Sequence, residues 1–389
     1  MERNGRIEKG YDQVEDLLQL RQEIDEIDQE MVRLFEKRMD VSRRVAEYKI
    51  ANGKKVLDRG REVQKLESLG ELAHSDFNRH GVQELFQQIM AMSRKLQYQL
   101  LEQEGVSGSL PFTRIDKIDR KHCRVVYQGV EGAYQHEAAI QYFGEGVNIF
   151  HMSTWRECME AIKEGMADYA VLPIENSSAG EVDAIYDLLE EYDNYIVGEQ
   201  ILKINHALLG LPGTKLSDIK TVYSHPQALM QCSVYLNSHP EWKQISLSNT
   251  AVAAAKVQED QDKSQAAIAS PAAAEFHGLE VLEMPINHNR FNSTRFIIVT
   301  NRKMYEADAK KVSICFELPH KSGSLYNILS HMIYNDLNMC KIESRPIPER
   351  NWEYHFFVDF EGNLNDSAVK NAIRGMMEES VHFKILGNY

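Results

Sequence analysis

The sequence predicts a multidomain chain: an all-α segment, then a two-lobed α/β body, then a small α+β module. Three observations predict this. Helical periodicity runs unbroken from about Tyr11 to Ala51, strand and helix patterns alternate from Cys123 to about residue 300, and a βαββαβ succession follows Lys311. At 389 residues the chain can bury two or three separate cores.

In the all-α segment, residues 11–103, Leu17, Leu20, Ile24, Ile27, Met31, Leu34, Val41, Val45 and Tyr48 keep a three-to-four spacing with no Pro or Gly until Gly53. The pattern predicts one helix about 60 Å long. The roughly 50 residues left in the segment are too few to cover its stripe in one globule, which predicts pairing with another chain. Shorter helices are predicted from about Arg59 to Leu69 and Phe77 to Leu101. Arg38 and Lys49 stand 11 residues apart on the apolar face, and Ser93 and Gln97 are i, i+4 on the third helix. Taken singly, such groups are ordinary snorkelling cations and satisfied polar residues; together they suit a shielded site for a dianion. Asp58, Arg61 and Glu62 open the second helix, where Asp58 as N-cap is an adequate reading on its own.

The 44 Lys and Arg against 58 Asp and Glu leave a net charge of −14, which argues against nucleic-acid binding. The 18 basic and 20 acidic residues of the first 103 positions leave 26 against 38 for the remainder. Cys123, Cys158, Cys232, Cys315 and Cys340 are scattered, as in a reducing compartment, and form no metal-ligand spacing. The polar N-terminus shows no signal peptide and no apolar run is long enough to span a membrane, so a soluble cytoplasmic protein is expected.

The run Leu20-Arg21-Gln-Glu-Ile24-Asp25-x-Ile27-Asp28, with Lys37-Arg38, Lys49, Asp58-x-x-Arg61-Glu62 and Ser93-x-x-x-Gln97, resembles the all-helical, AroQ-type chorismate mutases. That resemblance implies an intertwined dimer. Arg38, and Arg21 from the partner chain, would hold the two substrate carboxylates. Lys49 and Gln97 would meet the ether oxygen, and Asp58, Glu62 and Ser93 the ring hydroxyl and carboxylate edge.

Residues 104–120 are polar and read as a linker. In the body, 121–302, Tyr169 to Leu172 is a strand stopped by Pro173, and helical spacing starts at Glu181. The intervening Glu175, Asn176, Ser177, Ser178 and Gly180 occupy a strand-to-helix junction of the kind that holds ligands in open α/β sheets. Similar junctions occur at Gly129–Tyr134, Ser224-His-Pro-Gln227, Ser248–Ala255 and Asn289–Arg295; His206–Leu209 reads as a strand end. A turn or a cap explains each one alone, and several together suggest two lobes with a cleft between them. Gly129–Tyr134, Pro173-Ile-Glu-Asn176-Ser, Ser224–Gln227, Ser248–Ala255 and Thr294-Arg295-Phe296 together resemble prephenate dehydratase. The resemblance implies a periplasmic-binding-protein-like fold, with Thr294 as the essential hydroxyl. It implies that Asn176, Ser224, Gln227 and Thr250 position substrate, that Arg295 meets a carboxylate and that Glu175 supports the acid.

Asn301 to Lys311 is charged, without apolar pattern, and reads as a second boundary. The module at 309–389 is ferredoxin-like in its succession of elements, for which dimerisation is the plain reading. Gly323-Ser324-Leu325 and Glu343-Ser344-Arg345-Pro346 resemble the ACT domain of phenylalanine-inhibited dehydratases, where the two motifs meet across a dimer interface and bind the amino acid. Ser324 and Tyr326 replace the commoner Ala and Val. The combined resemblance implies a bifunctional, homo-oligomeric enzyme acting on chorismate and then prephenate, inhibited by L-phenylalanine, with no metal or organic cofactor. Preference for arogenate at the second site, or a purely ligand-binding body, stays open at this level.

Overall fold

The computed structural model describes residues 17–105 and 110–389. The polar N-terminus, the helical turns expected at 11–16 and linker positions 106–109 lie outside the described residues. Two compact units result, one ending at residue 105 and the other starting at 110.

The first unit is three helices, α1 (Leu17–Ala51), α2 (Arg59–Gly70) and α3 (Asp76–Gln103). Helix α1 runs until Gly53 takes the left-handed conformation (φ +60°). Asp58 caps α2 by accepting from the Arg61 N–H, and Ser75 caps α3 from Asn78. Only Ser42 and Ala46 of α1 are buried, whereas Leu17, Ile24, Ile27, Met31, Leu34, Val41 and Tyr48 are exposed. The stripe is uncovered in a single chain, as its length requires.

The second unit opens with β1 (Thr113–Ile115). A first lobe follows: β2 (Arg124–Gln128), α4 (Tyr134–Phe143), β3 (Asn148–Met152), α5 (Trp155–Lys163), β4 (Tyr169–Asn176), β5 (Gly180–Glu181), α6 (Asp183–Glu191) and β6 (Tyr195–Lys203). The chain then crosses to a second lobe of β7 (Ala207–Gly210), β8 (Thr221–Ser224), α7 (Pro226–Gln231), α8 (Ser233–Leu236), β9 (Lys243–Ser246), α9 (Thr250–Asp260), β10 (Gln265–Ala269), α10 (Pro271–His277) and β11 (Glu280–Glu283). It returns through β12 (Ser293–Thr300), which lies between β4 and β6, and continues into β13 (Met304–Glu306). The last elements are β14 (Lys311–Glu317), α11 (Ser324–Tyr334), β15 (Met339–Pro346), β16 (Tyr354–Glu361), α12 (Ser367–Glu379) and β17 (His382–Asn388).

The second lobe has its own sheet, ordered β11-β7-β10-β8-β9. The first lobe and the C-terminal module share one sheet, ordered β15-β16-β14-β17-β6-β12-β4-β2-β3, with β5 paired to β4. The join is the parallel contact of Gly387 with Ile196, too close for any side chain at 387. One face of the first-lobe strands buries Tyr169, Val171, Phe296 and Ile298. The other buries Ala170, Leu172, Ile174, Ile297 and Val299 in a core that takes in Cys315, Phe357 and Leu386 of the module.

Four sequence expectations are corrected. Pro173 does not stop its strand, because a register shift opposite Arg295 and Phe296 accommodates it and β4 runs on to Asn176. Glu181 lies in β5, so α6 starts later, at Asp183. His206–Leu209 begins a strand rather than ending one. Thr113–Ile115 and Met304–Glu306, within stretches read as linker and boundary, pair in parallel, and Met304 and Tyr305 are buried.

Candidate functional site

In the helical unit Arg38, Lys49, Asp58, Arg61, Glu62, Ser93 and Gln97 line one cavity of about 830 Å³. Helical spacing stacks Arg38 and Lys49 on α1, the cap turn brings in Asp58, Arg61 and Glu62, and α3 supplies Ser93 and Gln97 from across. Arg38 Nη1 donates to Ser93 Oγ at 2.6 Å and to the Ile89 carbonyl at 3.5 Å. Burial lowers the Arg38 pKa and Glu62 opposes that shift. Lys49 Nζ donates to the Val56 carbonyl. Gln97 Oε1 is buried with no hydrogen-bond partner among the described residues. The Glu62 carboxyl group pairs with Arg94 at 2.6 Å, which holds it in place. Arg94 and Ser42, which bonds Ser93 at 3.2 Å, belong to the site but carried no signal beyond proximity in sequence to Ser93 and Arg38. Arg21 is exposed and outside the cavity of its own chain.

Between the lobes lies a cleft of about 220 Å³. Three helix N-termini open onto it, through Tyr134 of α4, Gln227 of α7 and Thr250 of α9. Asn176 and Thr294 stand side by side in its wall as register partners of β4 and β12. Asn176 Oδ1 accepts the Ser178 and Ala179 N–H groups at 3.0 and 2.9 Å, which fixes the amide. Its Nδ2 therefore donates to Thr294 Oγ1, at 2.8 Å. That donation occupies a lone pair and leaves the threonine proton free to point into the cleft. No Lys, Arg, Asp or Glu is among the described residues lining it, so an anion there meets helix N-termini and neutral amides.

The cleft also holds a hydrogen-bonded network to which sequence reasoning assigned no role, although it singled out Tyr134 within a junction and His206 at a strand end. Tyr134 Oη lies 3.0 Å from His206 Nδ1, His206 Nε2 lies 2.8 Å from Gln231 Oε1, and that oxygen also accepts from Asn292 Nδ2. Since Gln231 Oε1 can only accept, Nε2 carries the imidazole proton and Nδ1 is the acceptor. Burial lowers the His206 pKa, with the Gln231 bond opposing, and raises that of Tyr134 well above its ordinary value. His206 sits at a lobe crossing, just before β7, where a sequence read for strands and helices marks a strand end but gives no cue to the side chain's partners.

Three expected site residues lie elsewhere. Ser224 is fully buried and donates to the Ile268 carbonyl, holding β8 to β10. Arg295 points away from the cleft because it alternates with Thr294, and the carboxylate it meets is that of Asp359, at 2.7 Å. Glu175 alternates with Asn176 in the same way and binds Lys341 at 2.9 Å. The N-terminus of α6 likewise faces the C-terminal module, where Asp183 meets Arg345.

In that module Gly323 precedes α11 with φ +78°, Ser324 and Leu325 open the helix, and Glu343, Ser344, Arg345 and Pro346 lie on the edge strand β15. Arg345 pairs with Asp183 and Asp187 of the first lobe.

Residues 20–98 match the model of chorismate mutase type II, and residues 125–304 match that of prephenate dehydratase. A bifunctional chorismate mutase/prephenate dehydratase of Escherichia coli K12 is 34% identical over 381 residues, covering 96% of each chain. A prephenate dehydratase from Arthrobacter aurescens, solved in complex with L-Phe, is 31% identical with a TM-score of 0.64, covering 68% of this chain and 89% of that one. A structure described as GqqA, a novel type of quorum quenching acylase, is 30% identical with a TM-score of 0.63, covering 68% and 97%. With both site clusters assembled in their own units and the likeness spanning nearly the whole chain, the protein belongs to the family of bifunctional chorismate mutase/prephenate dehydratases.

Proposed function

We propose that the helical unit, residues 11–103, rearranges chorismate to prephenate, that the two-lobed body, residues 121–302, converts prephenate to phenylpyruvate, and that residues 309–389 form an ACT domain responding to L-phenylalanine. The body is read as periplasmic-binding-protein-like and the module as ferredoxin-like, in keeping with its βαββαβ order. In the first reaction the ether C–O bond breaks as a C–C bond forms, with no proton transferred. Arg38 holds a carboxylate, Lys49 and Gln97 stabilise charge growing on the ether oxygen, and enclosure selects the compact conformer. Arg21 acts from a second copy of the chain, whose α1 covers the exposed stripe.

In the second reaction the carboxylate leaves as carbon dioxide, its bonding pair enters the ring, and the ring hydroxyl departs as water with a proton. Thr294 supplies the hydrogen-bond donor at that oxygen and Asn176 orients it. Neutral contacts suit a carboxylate that must leave, because a tight ion pair would stabilise it in the ground state. The single observation that carries this reading is the Asn176–Thr294 hydrogen bond at the wall of a cleft faced by three helix N-termini.

The effector reading rests on Gly323–Leu325 and Glu343–Pro346, together with the L-Phe complex of the Arthrobacter relative. Both dimerising elements imply a homo-oligomer, and a cytoplasmic location suits a biosynthetic enzyme with no helix long and apolar enough to cross a membrane among the described residues. A time course on purified protein with chorismate, following each acid separately, tests the whole. Phenylpyruvate is expected to appear through prephenate and to fall on adding L-phenylalanine; prephenate accumulating unchanged would overturn the assignment of the cleft.

A further inference from the structure

Strands β4 and β12 present two different chemistries on their two faces. Asn176 and Thr294, register partners, face the cleft, and Glu175 and Arg295, also register partners, face the C-terminal module. On that back face Arg295 meets Asp359 of β16 at 2.7 Å, and Asp359 accepts from Ser313, which bonds Tyr389 Oη at 2.8 Å. Glu175 meets Lys341 of β15 at 2.9 Å, and Lys341 also reaches Glu181 at 3.1 Å. Arg295 and Asp359 are 15% and 11% exposed, so their pair is shielded from solvent; Lys341 is 13% exposed, whereas Glu175 is 36% exposed and keeps that pair open to solvent on one side. The same face continues into the core shared with Cys315, Phe357 and Leu386.

We propose that Arg295 and Glu175 are positioning residues of the dehydratase, and that the two ion pairs are the physical link through which the module sets Thr294 and Asn176. Adjacent residues on a strand share a peptide plane, so a shift of β15 or β16 that drags Arg295 or Glu175 turns the neighbouring Thr294 or Asn176 relative to the cleft. The Asn176–Thr294 bond spans both strands and registers any relative slip. A displacement of tenths of an ångström is enough to misdirect the threonine proton. This deepens the reading of the module as a phenylalanine-sensing domain and rests on it.

The test uses the full chain with Lys341→Met, Lys341→Arg and Asp359→Asn. Prephenate dehydration is followed for kcat and KM, phenylalanine binding by calorimetry, and chorismate consumption as a control in the other unit. Lys341→Met and Asp359→Asn are expected to lower kcat by about tenfold with KM within about twofold. Both should still bind phenylalanine while losing most of its inhibition, and Lys341→Arg should restore both properties. Asp359→Asn leaves the shielded Arg295 guanidinium with only the more distant Glu199 carboxylate, at 3.9 Å; should it not fold, the Lys341 pair decides alone. Parental kcat together with parental inhibition in a folded Lys341→Met protein would overturn the proposal, as would losses that track thermal stability without a kcat–KM split. A parent enzyme that dehydrates prephenate but neither binds nor responds to phenylalanine would remove the sensing reading instead, leaving the kcat comparison to judge the positioning role.

Discussion

At residue scale, the cleft depends on two groups whose hydrogen bonds are already committed. Asn176 spends its oxygen on two backbone N–H groups, and this makes its nitrogen the donor to Thr294. Thr294→Ala should cut dehydration by about 10²–10⁴-fold while prephenate still binds, and Thr294→Ser should recover much of it, as steady-state kinetics and calorimetry would show. His206 gives a pH prediction. Its folded pKa lies below the unfolded one, near 6.5, because burial penalises the cation. The unfolded chain therefore binds more protons between the two values, so stability is full above about 6.5 and falls with acidification towards the folded pKa. Urea midpoints at pH 7.5 and 5.5 should differ less in His206→Gln than in the parent. Half-buried His136, His225 and His277 are shifted the same way, so part of the slope should remain. At this scale the sequence was legible in placement: Thr294 and Lys49, picked out by motif, each line a cavity. It was blind to direction: nothing in Thr294-Arg295 says which of two adjacent side chains faces substrate until the sheet has two occupied faces.

At the scale of elements, the pattern-based expectations hold for the three helices because their apolar residues recur at helical spacing, and for most strands because those buried on both faces read as short apolar runs. They fail where an element is satisfied by a remote partner. The β1–β13 pair is three residues on each side, joined across 191 positions (113 to 304), and its residues look like linker when read locally. Pro173 misleads for the same reason, since the register shift beside it, with Ile174 left unpaired, exists only in the pairing of β4 with β12. The seam between β6 and β17 makes a sharper claim. A methyl group at Gly387 would lie 2.0 Å from the Ile196 carbonyl oxygen and 2.8 Å from its carbon, both backbone atoms that no rotamer change can move. Gly387→Ala should therefore open the seam, at a cost of about 1–3 kcal/mol, and lower the melting temperature of the second unit. Scanning calorimetry would show that shift, and an unchanged transition would mean the two sheets are not joined there.

At the scale of the molecule, the two sites are built from separate sets of residues in separate compact units, one ending at residue 105 and one starting at 110. Among the described residues none lines both cavities, and the Arg38–Ser93 and Glu62–Arg94 contacts that shape the first lie within the helical unit. Energetic effects at sites with no shared partners add independently. Arg38→Ala removes a half-buried cation proposed to hold a substrate carboxylate, while Ser93 keeps its bonds to Ser42 and to the Ile89 carbonyl. Chorismate consumption by this variant should fall by at least about 10²-fold. Dehydration of supplied prephenate, and its inhibition by phenylalanine, should stay within about twofold of the parent. Loss of both activities in a variant with native circular dichroism and an unchanged second-unit melting transition would show that the units are coupled in the working enzyme, and that substrate binding in the helices is communicated to the cleft.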